Sequence, residues 1–403
     1  MLDGKYGEAK QKAIELLVSL GECYGAEEMI PVASAHLSSA NPISAGKGGT
    51  NFIKNMAEKG GKFAIPTTTN PSSFDPWAWK EMGFTEELYR EQAALSEALS
   101  KMGGLICNTC TPYLIGHVPR LREHIAWAES SAIAYANAVL GGRSNKESGL
   151  SALMAGITGR TPAYGYHLDD NRFGKLKIMV SVPLKGETDY ATLGFFVGKV
   201  AQDRIPIFTG IPPSVSNHEL KCLGAALATS GNVVHYHVVG VTPEASTEEL
   251  ASGFKKICSS DCIEVTLKEI KETEESLSSI GSQHANLVVL GCPHASIEQI
   301  KNYTNAFEGR RIKRDVEVWI LTARIIRKFA EDVGYSNILE SLGVRLVSDT
   351  CPVTMPRDFF MKKGYRAVAT DSAKLVHYIS NTKDIPCYYG SLYGIIHAIT
   401  TDV

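Results

Sequence analysis

Ala285-Asn-Leu-Val-Val-Leu-Gly-Cys-Pro-His-Ala-Ser296 is the stretch on which the fold turns. Its β-branched and apolar run does not alternate with polar residues, so the strand it forms is covered on both faces. Gly291-Cys292-Pro293 ends the run, and residues 295–307 take up helical spacing. Strand, tight turn and helix together are the unit of a parallel sheet flanked by helices. Working outward, strands are expected at 316–321, 344–348 and 367–370, with helical windows at 322–342 and 372–380. Upstream, strands are expected at 62–66, 105–107, 177–183, 205–209, 233–239 and 262–266. Helical windows there fall at 6–22, 84–102, 123–140, 190–201, 217–229, 246–257 and 266–281. The fold class is therefore α/β, with several doubly wound α/β/α domains packed around a central cleft. No internal sequence repeat or low-complexity linker is visible. Three regions are expected: 1–200 with Cys110, 201–284, and 285–403 with Cys292 and Cys351.

A chain of 403 residues exceeds one ordinary domain, and 44% hydrophobic residues suffice for a core. Net charge is −2 and no basic run stands out, which gives no electrostatic support for nucleic acid or a membrane surface as partner. The N-terminus lacks a basic-then-apolar signal pattern, and no apolar stretch nears the roughly 18 residues that span a bilayer. A cytoplasmic protein with reduced thiols is the expectation, and nine cysteines without a signal argue against a disulfide framework.

In open α/β sheets, ligands bind beyond the carboxyl ends of strands. Three cysteines fall there: Cys110 in Cys107-Asn-Thr-Cys110-Thr-Pro, Cys292 in Gly291-Cys-Pro-His, and Cys351 in Ser348-Asp-Thr-Cys-Pro352. A thiolate at a tight turn opening a helix is favoured by free N–H groups, which suits iron–sulfur ligation. Three protein thiolates on a [4Fe–4S] cluster leave one iron open as a Lewis acid for dehydration. Cys23, Cys222, Cys258, Cys262 and Cys387 read as packing residues. Cys107 and Cys110 form a CxxC, in which either member could serve. No second CxxC or histidine pair follows, so structural zinc is weakly supported.

Eight segments, in order along nearly the whole chain, resemble the aconitase X family. They are Gly60-Gly-Lys-Phe-Ala-Ile-Pro-Thr-Thr-Thr-Asn-Pro71, Thr109-Cys-Thr-Pro-Tyr-Leu114, Glu123-His-Ile-Ala-Trp-Ala-Glu-Ser-Ser131, Gly142-Arg-Ser-Asn-Lys-Glu147, Gly165-Tyr-His-Leu-Asp-Asp-Asn-Arg172, His237-Val-Val-Gly-Val-Thr-Pro-Glu-Ala245, Gly291-Cys-Pro-His-Ala-Ser296 and Ser348-Asp-Thr-Cys351. The resemblance, to the large subunit, implies an aconitase-like fold and a hydro-lyase. It implies a [4Fe–4S] cluster, with [2Fe–2S] or mononuclear iron as alternatives, on Cys110, Cys292 and Cys351; Cys107 has no counterpart. It further implies a separate small subunit that supplies the swivelling domain and a serine as catalytic base; no such domain follows in this chain, so a partner is expected. Family substrates are hydroxy acids: (R)-5-phosphomevalonate, dehydrated to trans-anhydromevalonate 5-phosphate in the mevalonate route, or cis-3-hydroxy-L-proline.

Candidate substrate contacts are Lys47, Thr69, Asn70, Arg143, Asn145, His167 and His237. Lys47 lies in Ser44-Ala-Gly-Lys-Gly-Gly-Thr50, a glycine-rich stretch able to cradle an anion or to be a flexible loop. Its charge tilts the choice toward the phosphorylated substrate. Thr69 and Asn70 follow a strand, and could bind substrate oxygens or cap a turn. Arg143, just past a helix, could grip a carboxylate or serve the helix dipole; Asn145 lies beside it. His167 and His237 could face the cleft or be hydrogen-bonded core residues. Glu129 and Glu147 could be buried acids or surface charges, and Ser372 and Lys374 could reach the cleft or cap a helix. Two other readings compete: a thiol enzyme with Cys110 as nucleophile, and an iron- or redox-sensing binding protein.

Overall fold

The computed structural model describes residues 1–402. Three parallel sheets organise the chain. In the third, Leu287–Ala295, Glu317–Thr322, Val344–Ser348, Val368–Thr370 and Cys387–Tyr389 stand in the spatial order third, second, first, fourth, fifth. The order reverses beside Leu287–Ala295, which makes that strand's carboxyl end a topological switch point. Period-two alternation explains the unbroken apolar run of this strand. Leu287 and Val289 pack into one core with Trp319 and Phe360, while Val288 and Leu290 pack into another with Ile320 and Phe307.

The second sheet is built from Leu176–Val180, Pro206–Thr209, His237–Val238 and Cys262–Val265 and repeats the order third, second, first, fourth. So does the first, from Ala35–Leu37, Thr67–Thr69, a bridge at Leu105 and Ala126–Trp127. One topology thus recurs three times where the sequence shows no repeat. Two tightly packed helices make the crossovers of the second unit: Gly186–Ala201 joins its first strand to its second, and Asn217–Gly231 joins the second to the third. Gly198 permits this approach, because a Cβ there would strike the backbone of Leu227 and Gly231.

Several sequence expectations change: the strand expected at 62–66 lies at Thr67–Thr69, and the helix expected at 246–257 is the single turn Glu248–Ala251. Residues 123–140 are not one helix: Ala126–Trp127 joins the first sheet and the helix spans only Ser130–Ala138. Alanine raised helix propensity across the window, but pairing with Ala35 and His36 claimed its start. The boundary near residue 200 falls inside the second unit, because Leu176–Val180 pairs with Pro206–Thr209. The glycine-rich stretch 44–50 is not a loop; it lies within the helix Pro42–Glu58, which breaks at Gly46 (φ 64°, ψ 175°). Among the described residues, no helix is long and apolar enough to cross a membrane.

Candidate metal centre

The carboxyl edges of the first and third sheets meet, and that junction assembles the site. Beyond the first sheet, Asn108 turns the chain with φ 44°, and Cys110 precedes the short helix Pro112–Ile115. Beyond the third, Asp349 does the same with φ 59°, and Cys351 precedes Pro352–Thr354. Cys292 stands where the pairing of Leu287–Ala295 with its neighbour breaks register, between Leu290 and Ala295. The extension of the first sheet's second strand clips the Cys351 turn. Ser72 donates its N–H to the Asp349 carbonyl at 2.8 Å and accepts from Cys351 N–H at 2.9 Å.

One residue ties the three turns together. His294, two residues past Cys292 and buried, donates its backbone N–H to Cys110 Sγ at 3.3 Å. Its Nε2 lies 2.9 Å from the Thr350 carbonyl, which requires an N–H there. Its Nδ1 then accepts from Thr109 Oγ1 at 3.1 Å. Burial pushes its pKa down to about 4, so the ring is neutral at pH 7. Below the Cys292 turn, the buried Lys221 donates to the carbonyls of Pro293 (3.4 Å) and His294 (3.2 Å) and to Gln299 Oε1 (2.5 Å).

Cys110, Cys292 and Cys351 are partly exposed free thiols. Burial pushes each up to about 12, and each feels another of the three: Cys110 feels Cys292, Cys292 feels Cys351, and Cys351 feels Cys110. Burial therefore outweighs the helix-terminus effect expected from the turns. Thiolates here need a positive partner, and Lys374 lowers all three. Cys107 stands apart. It is buried, donates to the Thr69 carbonyl at 3.4 Å, and feels Asp349 and Arg324 rather than the other thiols. Among the described residues, one trio of His, Cys, Asp or Glu brings its ligand atoms within 4.8 Å of one another, and it is not the cysteines. The three thiols are spread more widely, as suits a group larger than a single ion.

Facing them is a largely buried ion pair, Lys374 Nζ to Glu129 Oε1 at 2.5 Å. Burial alone would raise the Glu129 pKa; Lys374, Asn70 and Ser131 together pull it down to about 2. Burial alone would lower that of Lys374; Glu129 and the cysteines raise it. Asn70 bridges from Glu129 Oε2 (2.9 Å) to His36 Nε2 (3.3 Å), and His36 Nδ1 meets Thr68 Oγ1 at 2.8 Å.

Family models for the first, second and third domains of aconitase X match residues 1–170, 174–275 and 285–401. The chain belongs to the aconitase X family. It is 40% identical to the phosphomevalonate dehydratase large subunit of Methanothermobacter thermautotrophicus, over 98% of this chain and 96% of that one. It is 33% identical to the cis-3-hydroxy-L-proline dehydratase of Pseudomonas aeruginosa, over 99% of this chain and 68% of that one. A crystal structure of Thermococcus kodakaraensis aconitase X in its holo form superposes with a TM-score of 0.89 at 33% identity, covering 99% of this chain and 97% of that one. These relatives are dehydratases, so the family is one of hydro-lyases.

Within this aconitase X chain the sequence candidates divide. Asn70 lies at the centre, with Glu129, Lys374 and Ser372. Thr69 is buried, and its hydroxyl binds Asn108 Oδ1 at 3.0 Å and accepts from Asn108 N–H at 3.1 Å, so it shapes the Cys110 turn. Lys47 is exposed and forms no ion pair among the described residues. Arg143, Asn145, His167 and His237 gather elsewhere, at the amino ends of the first two sheets. Arg143 pairs with Asp169 and donates to the His167 carbonyl. Asn145 binds the backbone of Tyr164 and Tyr166, and His167 meets His124. The structure does not bring these four to the thiols. A hollow of about 620 Å³ is lined by Cys107 and by none of the other three. Sequence reading missed His294, His36 and Lys221. The first sat inside a quoted motif; a lone histidine in a strand and a lysine in a helix gave no signal.

Proposed function

We propose that this chain is the large subunit of an iron–sulfur hydro-lyase that dehydrates a β-hydroxy carboxylate, (R)-5-phosphomevalonate giving trans-anhydromevalonate 5-phosphate. The observation that carries the reading is the convergence of three cysteine turns, from two sheets, on one neutral histidine and one buried lysine. Bound by Cys110, Cys292 and Cys351, a [4Fe–4S] cluster would offer an iron without a protein ligand as a Lewis acid toward the leaving hydroxyl. Lys374 offsets thiolate charge. Glu129 and Ser131 occupy two of its three donors, leaving one for a substrate carboxylate. Glu129, an ionised acceptor held on both oxygens, fixes Lys374 and the Asn70 amide rather than moving the proton. That leaves the base to a small subunit, whose serine the family pattern implies. The setting is cytoplasmic, where thiols stay reduced.

The phosphorylated substrate is supported by the higher identity to phosphomevalonate dehydratase large subunits and by Lys47. Its ammonium stands free where the helix restarts after Gly46, and Asn41 ties that helix to the Pro71 carbonyl at the edge of the centre. The second reading is cis-3-hydroxy-L-proline, favoured by relatives at 32–33% identity. The test is anaerobic co-expression with the small subunit, followed by assay on both compounds. Turnover of 5-phosphomevalonate, with KM raised about tenfold or more by Lys47→Ala, is expected from the loss of one phosphate contact. Turnover of hydroxyproline alone would replace the substrate assignment, and turnover of neither by an iron-loaded complex would overturn both.

A further inference from the structure

At the amino edge of the second sheet, His235 and His237 project from one face of the chain, as period two requires. Both are buried, at 0% and 2% exposure, with ring centroids 4.7 Å apart. His237 Nε2 donates to the Arg172 carbonyl at 2.8 Å, which fixes the tautomer and leaves Nδ1 with a free lone pair. That Nδ1 has no partner, and neither does Nδ1 of His235. Buried imidazole nitrogens left this way are rare in folded proteins. Glu244 completes the group: one ligand atom from each of the three lies within 4.8 Å of the others, and His235 Nε2 is 3.3 Å from Glu244 Oε2. The Arg172 Nε donates to both Glu244 oxygens, at 3.1 and 2.9 Å, and orients the carboxylate as an outer partner does.

We propose that His235, His237 and Glu244 bind one divalent cation of the zinc, cobalt(II) or iron(II) kind, at a site separate from the cysteine centre. Two imidazoles and one carboxylate on one face are a donor set such ions take, with further positions open. A cavity of about 380 Å³, lined by His237, Glu244, Arg122 and Arg143, reaches the site. The cation and Arg172 together outweigh the single negative charge of Glu244. The open position therefore takes an anion, a hydroxide or a small carboxylate; Arg122 and Arg143, which share the single carboxylate of Asp169 at the cavity wall, add one net positive charge. His237, a substrate candidate on sequence grounds, becomes a metal ligand.

The experiment removes the competing site. The full chain carrying Cys110→Ala, Cys292→Ala and Cys351→Ala is titrated with Co²⁺, and its visible spectrum and melting temperature are followed. One equivalent should bind with ligand-field bands free of thiolate charge transfer, and should raise the melting temperature by mass action. His235→Phe, which removes only the 3.3 Å approach to Glu244 and keeps the edge contact with Tyr166, should weaken that binding tenfold or more. If the triple variant does not fold, Zn²⁺ titration of the iron-loaded wild type and of His235→Phe gives the same comparison. No stoichiometric binding, or equal binding with and without His235, overturns the proposal.

Discussion

Two turns in this molecule are built alike and held differently. Asn108-Thr109-Cys110 and Asp349-Thr350-Cys351 each follow the third strand of a sheet, each begins with a left-handed residue, and each places a cysteine before a proline-led short helix. Asn and Asp are the residues with a side chain that tolerate that conformation best. The difference lies in what the side chain meets. Asn108 is neutral and pairs with Thr69 of its own sheet. Asp349 is charged and fully buried, and it accepts from Arg324 N–H at 2.9 Å and Arg324 Nε at 2.6 Å. The backbone sets where the cysteine goes, and the local charge sets which residue can hold it there.

The largest effect expected is from the thiols themselves. Cys110→Ala, Cys292→Ala and Cys351→Ala should each abolish the cluster's visible absorption after anaerobic reconstitution, while Cys107→Ala should leave it. Retention in any of the first three would break the pairing of the two turns. Next comes Asn108→Asp, which puts a carboxylate among buried groups with no cation beside it. A loss of roughly 3 kcal/mol in urea unfolding is expected from an unpaired buried charge. The reciprocal Asp349→Asn should cost less, about 1–2 kcal/mol, because Arg324 is 31% exposed and can turn to water. Equal costs would show that charge does not distinguish the turns. Comparable to these, His294→Gln should lower iron affinity about 10- to 100-fold, as loss of an outer partner does. Iron retention on dilution measures it, and unchanged retention would remove the histidine from its role.

Much of the comparison could be read from the sequence. The apolar run at 287–290 dictated a strand covered on both faces, and cysteines after such strands marked the centre. The shared Thr-Cys pattern of the two turns was also in view. What made them equivalent, a positive φ and a position after a third strand, depends on strand order, which no local pattern encodes. Arg143, Asn145, His167 and His237 were read toward the cleft because their polarity gives function but not direction. Arg143 bridges to His124, just ahead of strand 126–127, His167 meets the same His124, and His237 opens strand 237–238, so the group lies at the amino edge of these sheets, opposite the thiols. Residues 123–140 misled for a similar reason, since helix propensity is local and the pairing that won is not.

The smallest effect at neutral pH concerns His36, in the first strand of the first sheet, where the paired part of the third sheet's first strand, Leu287–Leu290, is apolar. Burial depresses its pKa from 6.5 to about 4. The neutral ring's contribution is therefore complete above pH 6.5 and is lost as pH falls toward 4. His36→Gln should leave stability at pH 7 little changed and flatten its decline across that window, by up to about 1.4 kcal/mol per pH unit. An unchanged slope would place the acid sensitivity elsewhere.

The central claim is that the two turns and Cys292 hold one iron–sulfur centre. Its most direct test is iron and acid-labile sulfide analysis of the anaerobically purified chain, co-expressed with the proposed small subunit and read beside dehydratase activity. A brown protein with about three or four irons per chain, losing activity with its iron, is predicted. A colourless protein with full activity would contradict the account.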